Sequence, residues 1–417
     1  MATNVPFRDE ELRNVLLTSV VRDRPDVAHH TDEVRVIRAP GRVNLIGEHT
    51  DYNLGFVLPA AIDREIRMAI LATGDRRVDL TRLDTGERAA FDLDRPRPRD
   101  GTWLDYVAGT AWALAEAGLP AQGVHGVIAS TLPENAGLSS SAAIELASAW
   151  ALIGDDIAGL DPLAVARMCQ RAENGYVGVM SGLMDQFASA CGVEDHALFL
   201  DCRSFDWRPV PLPHDTSLVV LHSGSPRKLD GSAYNERRAQ CEAAVTALRD
   251  ADPSVRSLRD VSTDLLAAER GRLDPIVARR AEHVIAENER VSSAIVALET
   301  DDLDAVGELF AASHASLRDL FEVSSPELDA LVEIAGSVDG VIAARMTGGG
   351  FGGCTVNLVL PDAVERLVLA IEREYPARTG LTPTVLRVQA ARGAGYLAGD
   401  PAGAEPSSSA PASWQSA

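Results

Sequence analysis

Apolar positions recur along the chain at two spacings. Val34-Arg-Val-Ile-Arg38, Ile62 to Ala72, Arg77 to Arg82, Val124 to Thr131, Leu198-Phe-Leu200, Ser217 to Leu221 and Pro383 to Val388 read as strands. Val356, Leu358 and Leu360 alternate as a strand face does. Gly74-Asp75 marks a hairpin between two of these strands. Elsewhere the spacing is helical. Ala143, Leu146, Ala147, Trp150 and Ala151 fall at i, i+3, i+4, i+7 and i+8, and Val165, Met168, Cys169 and Ala172 repeat the pattern. A short leading helix is predicted over 9–21 and another over 103–117, where Gly118 and Pro120 supply the stop. From Asn235 onward the chain reads as mainly helical, over 235–250, 275–299, 303–321 and 326–336, the last with Leu328, Leu331, Val332 and Ala335 as its buried stripe. Pro40 and Gly41 read as a turn.

Composition narrows the class. The chain has 417 residues, a hydrophobic share of 46% and a charged share of 24%, which fits a globular protein with a sizeable core and two or three domains. A net charge of −22 argues against nucleic acid or an anionic membrane as partner. No apolar run is long enough to span a bilayer, and Met1 to Arg13 lacks a basic segment followed by an apolar one. The five cysteines are scattered and none forms a C-x-x-C pair, so reduced thiols in the cytoplasm are expected. Almost nothing in residues 398–417 can be buried, and this tail is expected to be disordered.

Candidate chemistry sits in a few loops. Leu132-Pro-Glu-Asn-Ala-Gly-Leu-Ser-Ser-Ser-Ala-Ala143 turns a strand into a helix with small residues and hydroxyls. A helix start carries unpaired N–H groups and a partial positive charge, and small residues let a phosphate approach. Arg42, Glu48, His49, Asp51 and Tyr52 crowd into eleven positions framed by Gly41, Gly47 and Gly55, a set suited to a ligand with several hydroxyls. Glu173 lies at the edge of a helix face, where a magnesium ion between it and a serine of the earlier helix would offset its charge. Asp185 stands between Met184 and Phe187, a partly apolar setting that perturbs a carboxyl. Arg345-Met-Thr-Gly-Gly-Gly-Phe-Gly-Gly-Cys354 leads into a strand rather than a helix, which rejects a dinucleotide fingerprint and points to close backbone approach to a ligand or another loop.

Taken together and in this order, these motifs resemble the galactokinase family of the GHMP kinase superfamily. Gly41 to Tyr52 looks like that family's signature, Leu132 to Ala143 is similar to the superfamily's ATP-phosphate loop, and Arg345 to Cys354 looks like its third, glycine-rich motif. The resemblance runs from about Val34 to about Leu397 and implies an α+β, two-domain GHMP kinase fold with the active site in the cleft between domains. By that likeness residues 1–210 form the N-terminal domain, 211–397 the C-terminal domain and 398–417 the tail. The implied reaction is ATP-dependent phosphorylation of the anomeric hydroxyl of galactose by a cytoplasmic monomer. Glu48, His49, Thr50, Asp51, Gly182 and Tyr234 would hold the sugar. Asp185 would be the catalytic aspartate with Arg42 beside it. Asn135, Ala136, Gly137, Leu138, Ser139, Ser140 and Ser141 would cradle the ATP phosphates, and Ser141 with Glu173 would hold Mg2+. Two stretches depart from the family pattern: Asn135 stands where glycine is usual, and His222 to Ala233 lacks the usual N-T-x-x-x-H-x-L run. The alternatives are a kinase for N-acetylgalactosamine or L-arabinose, and a sensor that binds ATP and galactose without turnover.

Overall fold

A computed structural model describes residues 9–26, 33–95, 97–133, 136–225 and 232–397. In chain order, α1 (Asp9–Asp23) is followed by β1 (Arg35–Asn44), β2 (Phe56–Val57), β3 (Pro59–Ala72), β4 (Arg77–Arg82) and β5 (Arg88–Asp92). Next come α2 (Leu104–Glu116), β6 (Val124–Ser130), α3 (Ser140–Ile153), α4 (Pro162–Ala172) and α5 (Met184–Cys191). The three strands β7 (His196–Asp201), β8 (Trp207–Pro211) and β9 (Ser217–His222) lead to α6 (Ser232–Arg249), α7 (Thr263–Glu269), α8 (Pro275–Glu299), α9 (Leu303–Ser316) and α10 (Pro326–Gly336). The chain closes with β10 (Val341–Thr347), β11 (Cys354–Val359), α11 (Val364–Thr379), β12 (Thr384–Val388) and β13 (Gly395–Tyr396).

The first half is built on a six-stranded sheet in the order β13-β1-β3-β6-β4-β5, with β4 and β6 the parallel pair. Both faces are covered, which is why β3 carries apolar residues at consecutive positions. Val36, Ala69, Leu71, Val127 and Ala129 pack on Leu12, Leu16 and Val20 of α1. The alternate residues, Ile37, Met68, Ile70 and Ile128, face the core that contains Ala143, Leu146 and Ala147 of α3. A small sheet β2-β7-β8 lies beside it. The second half holds an antiparallel sheet β10-β11-β9-β12. Val219, Leu221 and Val359 of that sheet pack on Leu331 and Ile334 of α10 and on Leu367 and Ile371 of α11. The chain then returns: Gly395 and Tyr396 pair with Arg38 and Ile37, so β13 completes the first sheet from the far end of the sequence.

Three local expectations change. Gly74-Asp75 does not close a hairpin, because β6 lies between β3 and β4 in the sheet, antiparallel to β3 and parallel to β4. Pro40 and Gly41 do not end a strand. They lie inside β1 at a register shift between Pro40 and Arg42, a bulge that lets the strand run on to Asn44. Gly41 is needed there, because a Cβ would lie 2.4 Å from both Leu132 Cδ2 and the Leu138 carbonyl. Asp185 is not in a loop but in the first turn of α5. The helices α7 and α11 and the strands β5, β8 and β10 add to the predicted set. The tail 398–417 lies outside the described residues, and no described helix is long and apolar enough to cross a membrane.

Candidate active site

The bulge in β1 laces that strand to the phosphate-type loop. Arg42 N donates to the Leu138 carbonyl at 3.1 Å and Arg42 Nη1 to the Gly137 carbonyl at 2.8 Å. The rest of the guanidinium holds Asp185: Nε is 2.9 Å and Nη2 2.7 Å from Oδ1. Arg42 is buried, and Asp185 keeps a quarter of its side chain exposed. Ser139 Oγ donates to the other oxygen, Oδ2, at 2.6 Å. Its residue has left-handed backbone, φ 61°, and its hydroxyl does not cap α3. Three separate segments therefore converge on one carboxylate, which is an acceptor when ionised.

Around it the loop is held tightly. Ala136, Leu138 and Ser139 are buried, while Gly137 and Ser141 are half-buried and Ser140 is exposed. The glycine loop after β10 backs it, since a Cβ on Gly353 would lie 3.2 Å from the Ala136 carbonyl. Asn135 lies outside the described residues, as do residues 226–231 of the second departing stretch. Ser140 and Ser141 line a cavity of about 350 Å³ together with Ile66, Trp103, Tyr106 and Ile144. The buried indole N–H of Trp103 has no partner among the described residues. The sequence offered α2 only as a helix, and its opening aromatics belong to this cavity. A larger cavity, about 630 Å³, opens beneath α1 between Glu11, Thr18, Arg22 and Thr81, away from all of these groups.

The loop after β1 carries the hydroxyl-binding candidates. Asp51 and Gly182 are in direct contact: a Cβ on Gly182 would fall 1.8 Å from Asp51 Oδ2. Burial, then the neighbouring Asp185 carboxylate, pushes the Asp51 carboxyl up to about 6, against the pull of Arg42. His49 has left-handed backbone (φ 64°), and its Nδ1 is 2.9 Å from the Tyr52 hydroxyl. Its ring lies 5.7 Å from that of Tyr234, which in turn is 5.5 Å from Tyr52, edge to face. Glu48 is buried, paired with Arg345 Nη2 and accepting from Gly348 N at 3.1 Å. Thr50 is also buried, and its hydroxyl faces the carbonyls of Gly47 and Phe56 at 2.8 and 2.6 Å, inside the loop.

Beneath the loop lies a pair of buried carboxylates. Glu173 opens a π-turn (Glu173–Val177) at the end of α4 and accepts from Ser181 Oγ and, at 2.9 Å, from Gln186 Nε2. The same amide donates to Glu145 Oε2 at 2.9 Å. Burial, then the charge of Glu173, raises the Glu145 carboxyl well above its ordinary value. Burial also raises Glu173, with hydrogen bonds from Ser181, Gln186 and Ser141 opposing it. Glu145 Oε1 is buried without a partner among the described residues. These carboxyls are hard oxygen donors of the type that suits Mg2+. Among the described residues no three His, Cys, Asp or Glu side chains are grouped to hold a metal alone. A cation here would share its coordination with phosphate oxygens.

Comparisons with known proteins show the family and the fold. The galactokinase galactose-binding signature matches residues 27–71, the GHMP kinase N-terminal domain residues 105–193 and the GHMP kinase C-terminal domain residues 294–377. The chain is 44% identical to a galactokinase of Roseiflexus sp. over 362 residues, covering 87% of this chain and 93% of that one. It is 43% identical to a galactokinase of Chloroflexus aurantiacus over 355 residues, 83% of this chain and 89% of the relative. Among solved structures, Lactococcus lactis galactokinase complexed with galactose superposes with a TM-score of 0.84 at 35% identity, covering 92% of this chain and 100% of that one. The mevalonate kinase of Methanococcus jannaschii shares the fold, with a TM-score of 0.60 at 18% identity over 86% of this chain and 98% of that one.

Proposed function

The chain belongs to the galactokinase family of GHMP kinases, and we propose that its cleft transfers the terminal phosphoryl group of ATP to the anomeric hydroxyl of α-D-galactose. The observation that carries this reading is the convergence of Arg42 and Ser139 on the Asp185 carboxylate. That contact joins the sugar-type loop to the phosphate-type loop at the point where the two substrates would meet.

The roles follow from chemistry. Phosphoryl transfer needs positioning and charge neutralisation more than covalent help. Asp185, with Arg42 on Oδ1, accepts the proton of the attacking hydroxyl through Oδ2. Arg42, beside Asp185, would also offset charge on the moving group. Asp51, backed by Gly182, and Tyr234 with His49 hold sugar hydroxyls. Glu48 contributes through the loop it anchors, and Thr50 braces that loop, because its one hydroxyl proton is spent on backbone carbonyls. Ala136 to Ser141 present the phosphate-binding turn, and the cavity closed by Trp103 and Tyr106 has the size and aromatic wall for the nucleotide base. Glu173 and Ser141 would hold Mg2+, whose part is to offset phosphate charge. Five buried free cysteines fit a cytoplasmic enzyme, and a monomer is part of the same reading.

The test is a coupled ADP-release assay over galactose, N-acetylgalactosamine and L-arabinose. Galactose is expected to give the highest kcat/KM. A higher value for another sugar would reassign the substrate, and no ADP with any sugar despite measurable ATP binding would make the chain a sensor.

A further inference from the structure

Glycines 47 and 55 of the loop after β1 both lie against α8, a helix some 230 residues later in the chain. A Cβ on Gly47 would lie 2.9 Å from Val291 Cγ2, and one on Gly55 would lie 2.4 Å from Asn288 Oδ1. The polar contacts follow the same seam. Glu287 Oε1 accepts from Gly47 N at 3.0 Å, and Asn288 Oδ1 accepts from Phe56 N at 2.8 Å. His283 Nε2 is 3.2 Å from the Glu48 carbonyl. A carbonyl only accepts, so Nε2 carries the proton, and Nδ1 is left to accept from Ser316 Oγ at 2.8 Å. His283, Glu287, Asn288 and Val291 fall at i, i+4, i+5 and i+8, one face of the helix.

This face is itself fixed. Glu287 Oε1 also accepts from Ser313 Oγ at 2.6 Å, and Oε2 from Arg290 Nε at 2.6 Å. Burial alone would raise its carboxyl, but Arg290, Arg345 and the Ser313 hydroxyl hold it at about 2, an anion at any working pH. Arg345 Nη1 donates to the Leu45 carbonyl at 2.8 Å and Nη2 pairs with Glu48, so β10 grips the loop from the other side. A series of rings extends the contact to His49. His283 lies 4.6 Å from Phe321, which lies 4.7 Å from His49. The loop that carries the side chains proposed to meet the sugar thus has Gly47 N, Phe56 N and the Leu45 and Glu48 carbonyls partnered by the opposite half of the molecule.

We infer that His283, Glu287 and Asn288 are positioning residues for sugar recognition: they touch no substrate, and they set the path of residues 45–56 and so the places of Glu48, His49 and Asp51. The inference rests on the reading that this loop holds the sugar. On it, the affinity of the sugar half-site is tuned from α8.

The experiment measures galactose and ATP dissociation constants by calorimetry on the full-length chain, with melting curves, for Asn288→Ala, Glu287→Gln, Glu48→Gln and Asp51→Asn. Asn288→Ala leaves the buried Phe56 N–H unpaired and is expected to weaken galactose about tenfold while ATP changes less than about twofold. Glu287→Gln keeps an acceptor for Gly47 N and is expected to weaken galactose less. Unchanged galactose binding in Asn288→Ala would overturn the inference. So would a parallel fall in both affinities, which is the mark of a merely structural role. If Glu48→Gln and Asp51→Asn also leave galactose binding unchanged, the sugar-loop reading falls with it. If those two weaken galactose and Asn288→Ala does not, the inference alone falls. Should Asn288→Ala fail to melt cooperatively, Glu287→Gln decides by the same comparison.

Discussion

Ser139 donates its hydroxyl proton to Oδ2 of Asp185 at 2.6 Å, from backbone held at φ 61°. A serine of the phosphate-type loop thus orients the carboxylate proposed to receive the sugar's proton, and Arg42 fixes the other oxygen. Asp185→Asn keeps the shape and loses the charge and the proton acceptor. Turnover in ADP-release assays is expected to fall by about 100-fold to 10,000-fold, the usual share of a positioned base. Galactose affinity by calorimetry is expected to stay within about threefold, since the groups proposed to hold the sugar are His49, Asp51, Gly182 and Tyr234 rather than Asp185. Turnover at the unmodified rate would remove Asp185 from the chemistry. Ser139→Ala leaves the base in place with one hydrogen bond fewer, so its loss should be about tenfold, as for one bond to a charged group.

Asp51 gives the site a pH dependence with a definite sign. Its carboxyl is pushed up to about 6 from an ordinary value of 3.8, by burial first and by the Asp185 carboxylate second, with Tyr52 N and Arg42 opposing. The folded protein therefore binds this proton more tightly than the unfolded chain. The stability that the neutral carboxyl contributes is fully present below about 3.8 and is lost as pH rises through about 6. Sugar binding has the opposite dependence, because the ionised form is the better acceptor. Galactose affinity is expected to weaken as pH falls through about 6, approaching tenfold per pH unit if only the ion binds. Asp51→Asn should remove that slope and raise Tm near neutral pH. A flat galactose dissociation constant from about pH 5 to about pH 8 would take Asp51 out of the sugar site.

Trp103 and Tyr106 form the aromatic wall of the 350 Å³ cavity next to Ser140 and Ser141. If the base stacks there, Trp103→Ala loses about 1–3 kcal/mol of stacking, and KM for ATP rises about 10-fold to 100-fold. KM for galactose should not move, because Asp51, His49 and Tyr234 are untouched. An unchanged KM for ATP would place the base elsewhere.

Much of this was legible in the sequence, because loops that bind phosphates and hydroxyls use residue types with few other uses. The run Gly137 to Ser141, Asp185 and Glu173 could each be singled out from charge, size and place. What could not be read was the partner of each. Ser139 reads in the sequence as one of the phosphate cradle's hydroxyls, yet its hydroxyl goes to Asp185, 46 positions away. The grip of Glu287 on Gly47 spans 240 positions. Trp103 and Tyr106 carry no distinguishing signal, since aromatics near a helix start are as common in cores as in ligand pockets. Glu145 sits amid an apolar helix face, where a lone acid reads as a surface residue until the fold buries it against Glu173. The β1 bulge was hidden for a related reason: Pro40-Gly41 has turn chemistry, and only the close approach of Leu132 and Leu138 explains the glycine inside a strand.

Gly182 supplies the most local test of the sugar pocket. Its Cα faces the Asp51 carboxylate so closely that an added Cβ would stand 1.8 Å from Oδ2 and 2.2 Å from Cγ. No side-chain contact tolerates such distances, so Gly182→Ala must displace Asp51, the loop 178–182, or both. The backbone of Gly182 is not in the left-handed region, so alanine itself adds no backbone strain there. The fold should survive, with a cost of about 1–3 kcal/mol for the overpacking. Galactose affinity is expected to fall at least about tenfold, because the displaced group is the one proposed to accept sugar hydroxyls. ATP binding should hold, since Trp103, Ser140 and Ser141 lie on other elements. Pairing Gly182→Ala with Asp51→Asn in a double-mutant cycle gives the sharper reading. If the glycine acts only by making room for Asp51, its effect on galactose should largely vanish once Asp51 is already changed. Fully additive losses would mean that Gly182 meets the sugar on its own account.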